Sequence, residues 1–137
     1  MKSAYFLCAA ALVSVFAFTG CSSKPTLYPV NGKVFQGDKP AAGAQVIFHP
    51  IDKDRSGAPK PIGDVDDHGD FTLKWDNQVG APAGDYVVTI IWRLPKESPL
   101  SRDQPDILKG RYANPSTTLL RATVEKGPTE LAVFRVD

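Results

Sequence analysis

The chain is predicted to be all-β: a single antiparallel, two-sheet Greek-key β-sandwich of about seven strands. Three observations lead there. From Tyr28 onward, glycine or proline interrupts every stretch long enough to hold an amphipathic helix. Short runs rich in β-branched and aromatic residues recur instead, each bounded by turn residues. These runs follow one another over residues 28–137, a length suited to two packed sheets.

The first run is Tyr28–Phe35, with Gly32 marking a bulge or a point of close packing. Residues 36–40, Gln-Gly-Asp-Lys-Pro, form a turn. Ala44–His49 follows, with Ala44, Val46 and Phe48 on one face. Ile62–Val65 is a candidate additional strand. Phe71–Trp75 alternates apolar and polar residues, the signature of a half-buried strand. Tyr86–Trp92 is the longest run, with Tyr86, Val88, Ile90 and Trp92 sharing a face. Tyr86 should therefore bury its ring and send its hydroxyl to a backbone partner, whereas Thr89 should lie on the opposite, less critical face. A helical turn is expected over Pro105–Tyr112. Thr118–Val124 places Leu120, Ala122 and Val124 together. In the last run, Thr129–Val136, two sets compete for the core: Ala132, Phe134 and Val136 against Leu131 and Val133. A bulge would reconcile them.

Residues 1–20 have a different character. Lys2 gives a positive start, Tyr5–Phe18 is almost wholly apolar, and Phe18-Thr19-Gly20-Cys21 closes the run. A basic n-region, an apolar h-region and small residues at the cut describe a secretory signal. At roughly 14 residues the apolar run is short of the ~20 that span a bilayer. The cysteine right after the cut makes the pattern more specific. It resembles the bacterial lipoprotein signal, which ends in a small residue and then cysteine, although Phe18 stands where leucine is commoner. The resemblance implies that Cys21 becomes a lipidated N-terminus. Residues 21–27 then serve as a tether, and residues 28–137 form one domain outside the cytoplasm.

Composition is consistent with that placement. Cys8 leaves with the signal and Cys21 is used for lipid, so no thiol remains for a disulfide and stability must come from packing. Of the 16 basic residues, Lys2 also leaves, so the remainder balances the 15 acidic ones. A neutral balance argues against a nucleic-acid partner, which needs a basic stripe.

Three phrases then line up in order. Pro40, Gly43, Ala44 and Val46 fit G-x-P-x-x-G-A-x-V apart from its leading glycine; Asp66, Gly69 and Phe71 fit D-x-x-G-x-[FY]; Gly84, Tyr86 and Val88 fit G-x-Y-x-[VL]. In this the chain resembles the carboxypeptidase regulatory-like domain, a transthyretin-like (prealbumin-type) sandwich. Its last third, with Gly110-Arg111-Tyr112, Asn114-Pro115, Thr118, Leu120, Val124 and Gly127, resembles small secreted lipoproteins of planctomycete-type bacteria. The resemblance implies a fold and a location; it names no reaction.

The candidate sites are few. In Asp64-Val65-Asp66-Asp67-His68-Gly69-Asp70, oxygens alternate ahead of a glycine, as in a calcium loop, which makes Asp64, Asp66 and Asp70 the metal candidates. The twelfth position, where such a loop needs a carboxylate, is Trp75. The other reading is a hairpin turn capped by an Asp side chain. Trp75 and Trp92 are candidates for stacking on sugar rings, or else core residues, with Trp75 expected to be the more exposed. His49 and His68 are too few for a zinc site, and His49 reads as a solvated residue before Pro50. No G-x-S-x-G nucleophile elbow occurs. Hydroxyisourate hydrolases share the transthyretin-like fold but end in Tyr-Arg-Gly-Ser, whereas this chain ends in Phe134-Arg135-Val136-Asp137. Two aperiodic segments, 51–63 and 93–110, are where a partner surface would differ from a generic scaffold.

The expectation is a membrane-anchored module of the bacterial cell envelope, facing periplasm or exterior. It would be structural or binding rather than enzymatic, need no cofactor, and contact an envelope protein or a glycan. A carbohydrate-binding or Ca-dependent adhesive module is the alternative, and a small-ligand hydrolase a further one.

Overall fold

The computed structural model describes residues 23–137. These form strands β1 (Leu27–Tyr28), β2 (Val30–Gln36), β3 (Lys39–Pro40), β4 (Ala44–Pro50), β5 (Ile62–Asp64), β6 (Asp70–Thr72) and β7 (Lys74–Trp75). Then come β8 (Gln78–Val79), β9 (Ala81–Pro82), β10 (Gly84–Trp92), β11 (Arg121–Val124), β12 (Thr129–Glu130) and β13 (Phe134–Val136). One sheet has the order β11-β10-β4-β5-β7-β8. The other is built around β2, which pairs with β3, β6, β12 and β13. A small β1–β9 ladder ties the entering chain to the residues just before β10. The protein is a β-sandwich.

Period-two alternation explains the core between the sheets. Val30 and Val34 face inward from β2, as do Ala44, Val46 and Phe48 from β4. Tyr86, Val88 and Ile90 face inward from β10, and Phe134 and Val136 from β13. Phe48 and Tyr86 meet with ring centroids 5.4 Å apart. β10 is central, as expected of the longest run. It pairs with β4 along Tyr86–Trp92 and with β11 along Gly84–Val87. Beyond β11 the same edge is completed by irregular chain. The Val88 and Ile90 amides donate to the carbonyls of Leu120 and Tyr112, and Ile107 N–H donates to the Trp92 carbonyl.

Four features depart from the expectations. The expected Phe71–Trp75 strand changes sheets at its centre: Phe71 pairs with β2, while Lys74 pairs with β5. Leu73, fully buried, is the crossing point, donating to Val30 and accepting from Gly80. The C-terminal segment runs parallel to β2, where antiparallel pairing was expected. Its register advances by one residue between Thr129↔Val30 and Phe134↔Val34. That extra residue is the bulge that reconciles the two apolar sets: Leu131 packs on the core ahead of it, and Phe134 and Val136 enter the core after it. The helical turn expected at 105–112 is instead a series of turns, with Asp106, Leu108 and Gly110 carbonyls accepting from residues three positions on. The one helical turn among the described residues is a 3-10 turn at Lys53–Arg55, inside a segment without periodicity.

Gly32 is a close-packing point. A Cβ there would lie 2.5 Å from the Phe71 ring, and one on Gly63 would lie 2.7 Å from the same ring. Phe71 thus sits between two glycines, one from each sheet, and stacks on Phe134 at 6.3 Å.

Candidate functional site

The acidic segment folds as a tight turn that carries the chain from β5 in one sheet to β6 in the other. Asp66 Oδ1 accepts the backbone N–H groups of His68 at 2.9 Å and Asp70 at 3.0 Å. Gly69 closes the turn at φ +86°, a conformation that only glycine adopts without strain. The turn N–H groups, Asp70 first, hold the Asp66 carboxyl below its ordinary range. Asp70 pairs with Lys33 across the sheet, and Asp64 accepts from Gln45 at 3.2 Å. Asp64, Asp66 and Asp70 line one open groove with Lys74 and Thr72. Each carboxylate nevertheless has a different protein partner. Among the described residues, no three His, Cys, Asp or Glu side chains are grouped so as to hold a metal ion.

The two tryptophans do not share a platform. Trp75 is on β7 and Trp92 on β10, with β4 and β5 between them. At ~4.8 Å per strand spacing, the rings stand on backbones roughly 14 Å apart. The expected exposures are also reversed. Trp75 is only 9% exposed, while Trp92 is half-buried and donates its indole N–H to the Ala42 carbonyl at 2.8 Å. Trp75 lies at a strand end, but the 50–61 segment folds over it.

His49 is likewise not a freely solvated residue. It is half-buried and hydrogen-bonded through Nε2 to Thr89 Oγ1 at 2.8 Å. Burial, reinforced by the Lys60 charge, pulls its pKa below the usual 6.5. Thr89, expected on a permissive face, is 1% exposed.

The most built feature among the described residues is a cavity that sequence reasoning missed. It has a volume of about 210 Å³ and lies under residues 50–61; Pro25, Pro50, Ala58, Pro61, Trp75 and Tyr86 contribute its apolar wall. Arg55 fastens the covering segment. Its guanidinium donates to the Ala83 carbonyl and the Tyr86 hydroxyl, both at 3.2 Å, and lies over the Tyr86 ring at 5.4 Å. The Tyr86 hydroxyl in turn donates to the Pro82 carbonyl at 2.6 Å. Burial raises the Tyr86 pKa, with Arg55 opposing. Gly84 makes the arrangement possible: at φ +145° it has no side chain, and a Cβ there would lie 2.2 Å from Arg55 Nη2. The signal in the sequence was the pairing of a lone arginine in a proline-rich loop with the glycine of Gly84-Asp85-Tyr86.

Cys21 and the segment before it lie outside the described residues. Among the described residues no helix is long and apolar enough to cross a membrane. Ser23–Thr26 are exposed and lead directly into β1. No family model, no curated protein and no solved structure matches this chain.

Proposed function

We propose that this chain is a lipid-anchored β-sandwich of the bacterial cell envelope, held to a membrane through Cys21 and facing periplasm or exterior. Its role is structural or binding, without catalysis. The observation that carries the reading is Thr19-Gly20-Cys21 closing a basic-then-apolar leader. The resemblance to carboxypeptidase regulatory-like domains and to planctomycete-type secreted lipoproteins supports it. So does the short exposed stretch of Ser23–Thr26 between the anchor and the first strand. The polar side chains point to scaffolding. Asp66 caps a turn, Asp70 pairs with Lys33, His49 binds Thr89, and Arg55 pins a loop. The hydroxyl–imidazole contact among them, Thr89 with His49, has its hydroxyl residue only 1% exposed and so out of reach of a substrate. A partner, whether an envelope protein or a glycan, would be met through the surface of segments 51–63 and 93–110.

Intact mass spectrometry of the protein purified from bacterial membranes tests the anchor. The expected product begins at Cys21 and carries acyl mass, and Cys21→Ser should abolish both processing and membrane retention. An unmodified Cys21, or a chain still beginning at Met1, overturns the proposal. Cross-linking in intact cells, followed by identification of the attached protein or glycan, then names the partner.

A further inference from the structure

We infer that the apolar cavity under residues 50–61 takes a hydrocarbon chain of the lipid carried by Cys21, so that this end of the sandwich faces the bilayer. The inference rests on the lipid-anchor reading and adds an occupant and an orientation to it.

The chemistry of the wall selects the occupant. Pro25, Pro50, Ala58, Pro61, Trp75 and Tyr86 present carbon surface. Two of the polar groups on the lining are already engaged, the Tyr86 hydroxyl with Pro82 and the Arg55 guanidinium with Ala83 and Tyr86; a third is the carboxylate of the exposed Asp54. A sugar or a peptide would bring many donors and acceptors against the single exposed carboxylate of Asp54, and stripping water from the groups left over is unfavourable. A hydrocarbon brings none. The size sets how much of it enters. An apolar cavity of about 150 Å³ accommodates a benzene-sized guest. A volume of about 210 Å³ therefore accepts several methylenes, not a whole acyl chain.

The position of the cavity identifies the source. Pro25 is part of the wall, and Cys21 is four residues upstream. Four residues reach at most about 13–14 Å when extended, so the lipid leaves the chain close to the cavity mouth. The same end carries exposed apolar side chains. Ile51, 53% exposed, follows Pro50 of the wall, and Val79, 60% exposed, precedes Gly80, where an added Cβ would lie 2.8 Å from the Tyr28 carbonyl oxygen. Other grooves among the described residues carry more charge on their linings, Asp64, Asp66, Asp70 and Lys74 in one case and Lys109, Arg111 and Asp137 in another, against Asp54 and Arg55 here.

Trp75 lines the cavity and Trp92 does not, so the two indole N–H resonances provide a probe and an internal control. Two proteins are compared in the same alkyl-maltoside micelles by ¹⁵N–¹H correlation spectra. One is the native lipoprotein with acyl mass verified on Cys21. The other is made without residues 1–20 and carries Cys21→Ser. The Trp75 resonance should shift between them and the Trp92 resonance should not. Ala58→Phe, which fills the cavity, should remove the lipid-dependent shift while leaving the rest of the spectrum dispersed. If that variant fails to fold, Pro59→Leu at the outer wall serves the same purpose. A Trp75 resonance identical in the two proteins overturns the inference and leaves the anchor standing. Movement of the unlipidated protein to the same position on adding micelles also overturns it, because the hydrocarbon then comes from the surroundings. Absence of acyl mass on Cys21 removes the anchor reading and the inference with it.

Discussion

Tyr86 shows how much one side chain can organise. Its ring fills the core against Phe48, its hydroxyl satisfies the Pro82 carbonyl, and its face carries the Arg55 guanidinium. Tyr86→Ala should therefore cost ~3–5 kcal/mol in urea denaturation, as other buried aromatic truncations do. Tyr86→Phe keeps the ring and should cost only ~1–3 kcal/mol, since it leaves a buried carbonyl without its donor. Equal losses for the two would mean that the ring contributes nothing. His49 gives a pH signature. Its folded pKa is depressed, first by burial and then by Lys60. The neutral form is thus favoured in the folded state, and above pH 6.5 this contribution to stability is fully present. As pH falls through 6.5 the unfolded chain takes up the proton first, and stability is lost down to the folded pKa. Melting temperatures recorded between about pH 8 and about pH 5 should fall more steeply for the wild type than for His49→Gln. Parallel curves would show that His49 titrates freely. Tyr86 was legible in the sequence because period two and the Gly84-Asp85-Tyr86 phrase placed it. His49 and Thr89 were misread because period two tells which residues share a face. It does not say that the second face is covered as well.

At the scale of elements, the two glycines flanking Phe71 decide how closely the sheets approach. A methyl group on Gly32 or Gly63 would overlap the Phe71 ring, so the ring must move or the sheets must part. Overpacking of this kind costs ~1–3 kcal/mol. Gly32→Ala and Gly63→Ala should each destabilise by that much. In a Phe71→Leu background, the added methyl on Gly32 should cost less, giving a coupling of ~0.5–3 kcal/mol in a double-mutant cycle followed by urea denaturation. Strict additivity would show that the ring and the glycine do not meet. Gly32 was readable as a close-packing point because a glycine inside a strand pattern has few other uses. The change of sheet at Leu73 was not readable, since the alternation from Phe71 to Trp75 continues unbroken through it. Nor was the direction of the C-terminal strand: side-chain alternation is the same in parallel and antiparallel pairs. The one-residue bulge before Phe134 did leave a trace, as two competing apolar registers. The Arg55 contact left only a lone arginine in a proline-rich loop and a glycine ahead of Tyr86, which no period connects.

For the whole molecule, the arrangement of strands predicts where stability is concentrated. β10 is hydrogen-bonded along both edges, to β4 and to β11 with its irregular continuation. Its inward residues are fully buried, and its outward Thr89 is covered too. Opening β10 therefore requires breaking both neighbours and exposing the core, which amounts to global unfolding. The ends of the same sheet differ. β8 is two residues long and exposed, and residues 93–103 are nearly all exposed, tied down chiefly by the Lys96–Asp103 pair. Surface ion pairs of that kind add little to stability. Hydrogen exchange followed by mass spectrometry should accordingly rank the molecule in three tiers. Peptides covering Tyr86–Trp92 and Ala44–Phe48 should exchange last, with the free energy of global unfolding. The β2 and β13 peptides should follow, since β13 is held on one edge only, by β2. Residues 93–103 should exchange first. Arg55→Ala supplies the discriminating case. It should speed exchange at Ala58 and Lys60, whose segment it pins, without changing the Val88–Ile91 amides. If those β10 amides accelerated equally, the segment and the sheet would open as one unit. The cavity wall would then belong to the cooperative core instead of a cover fastened onto it.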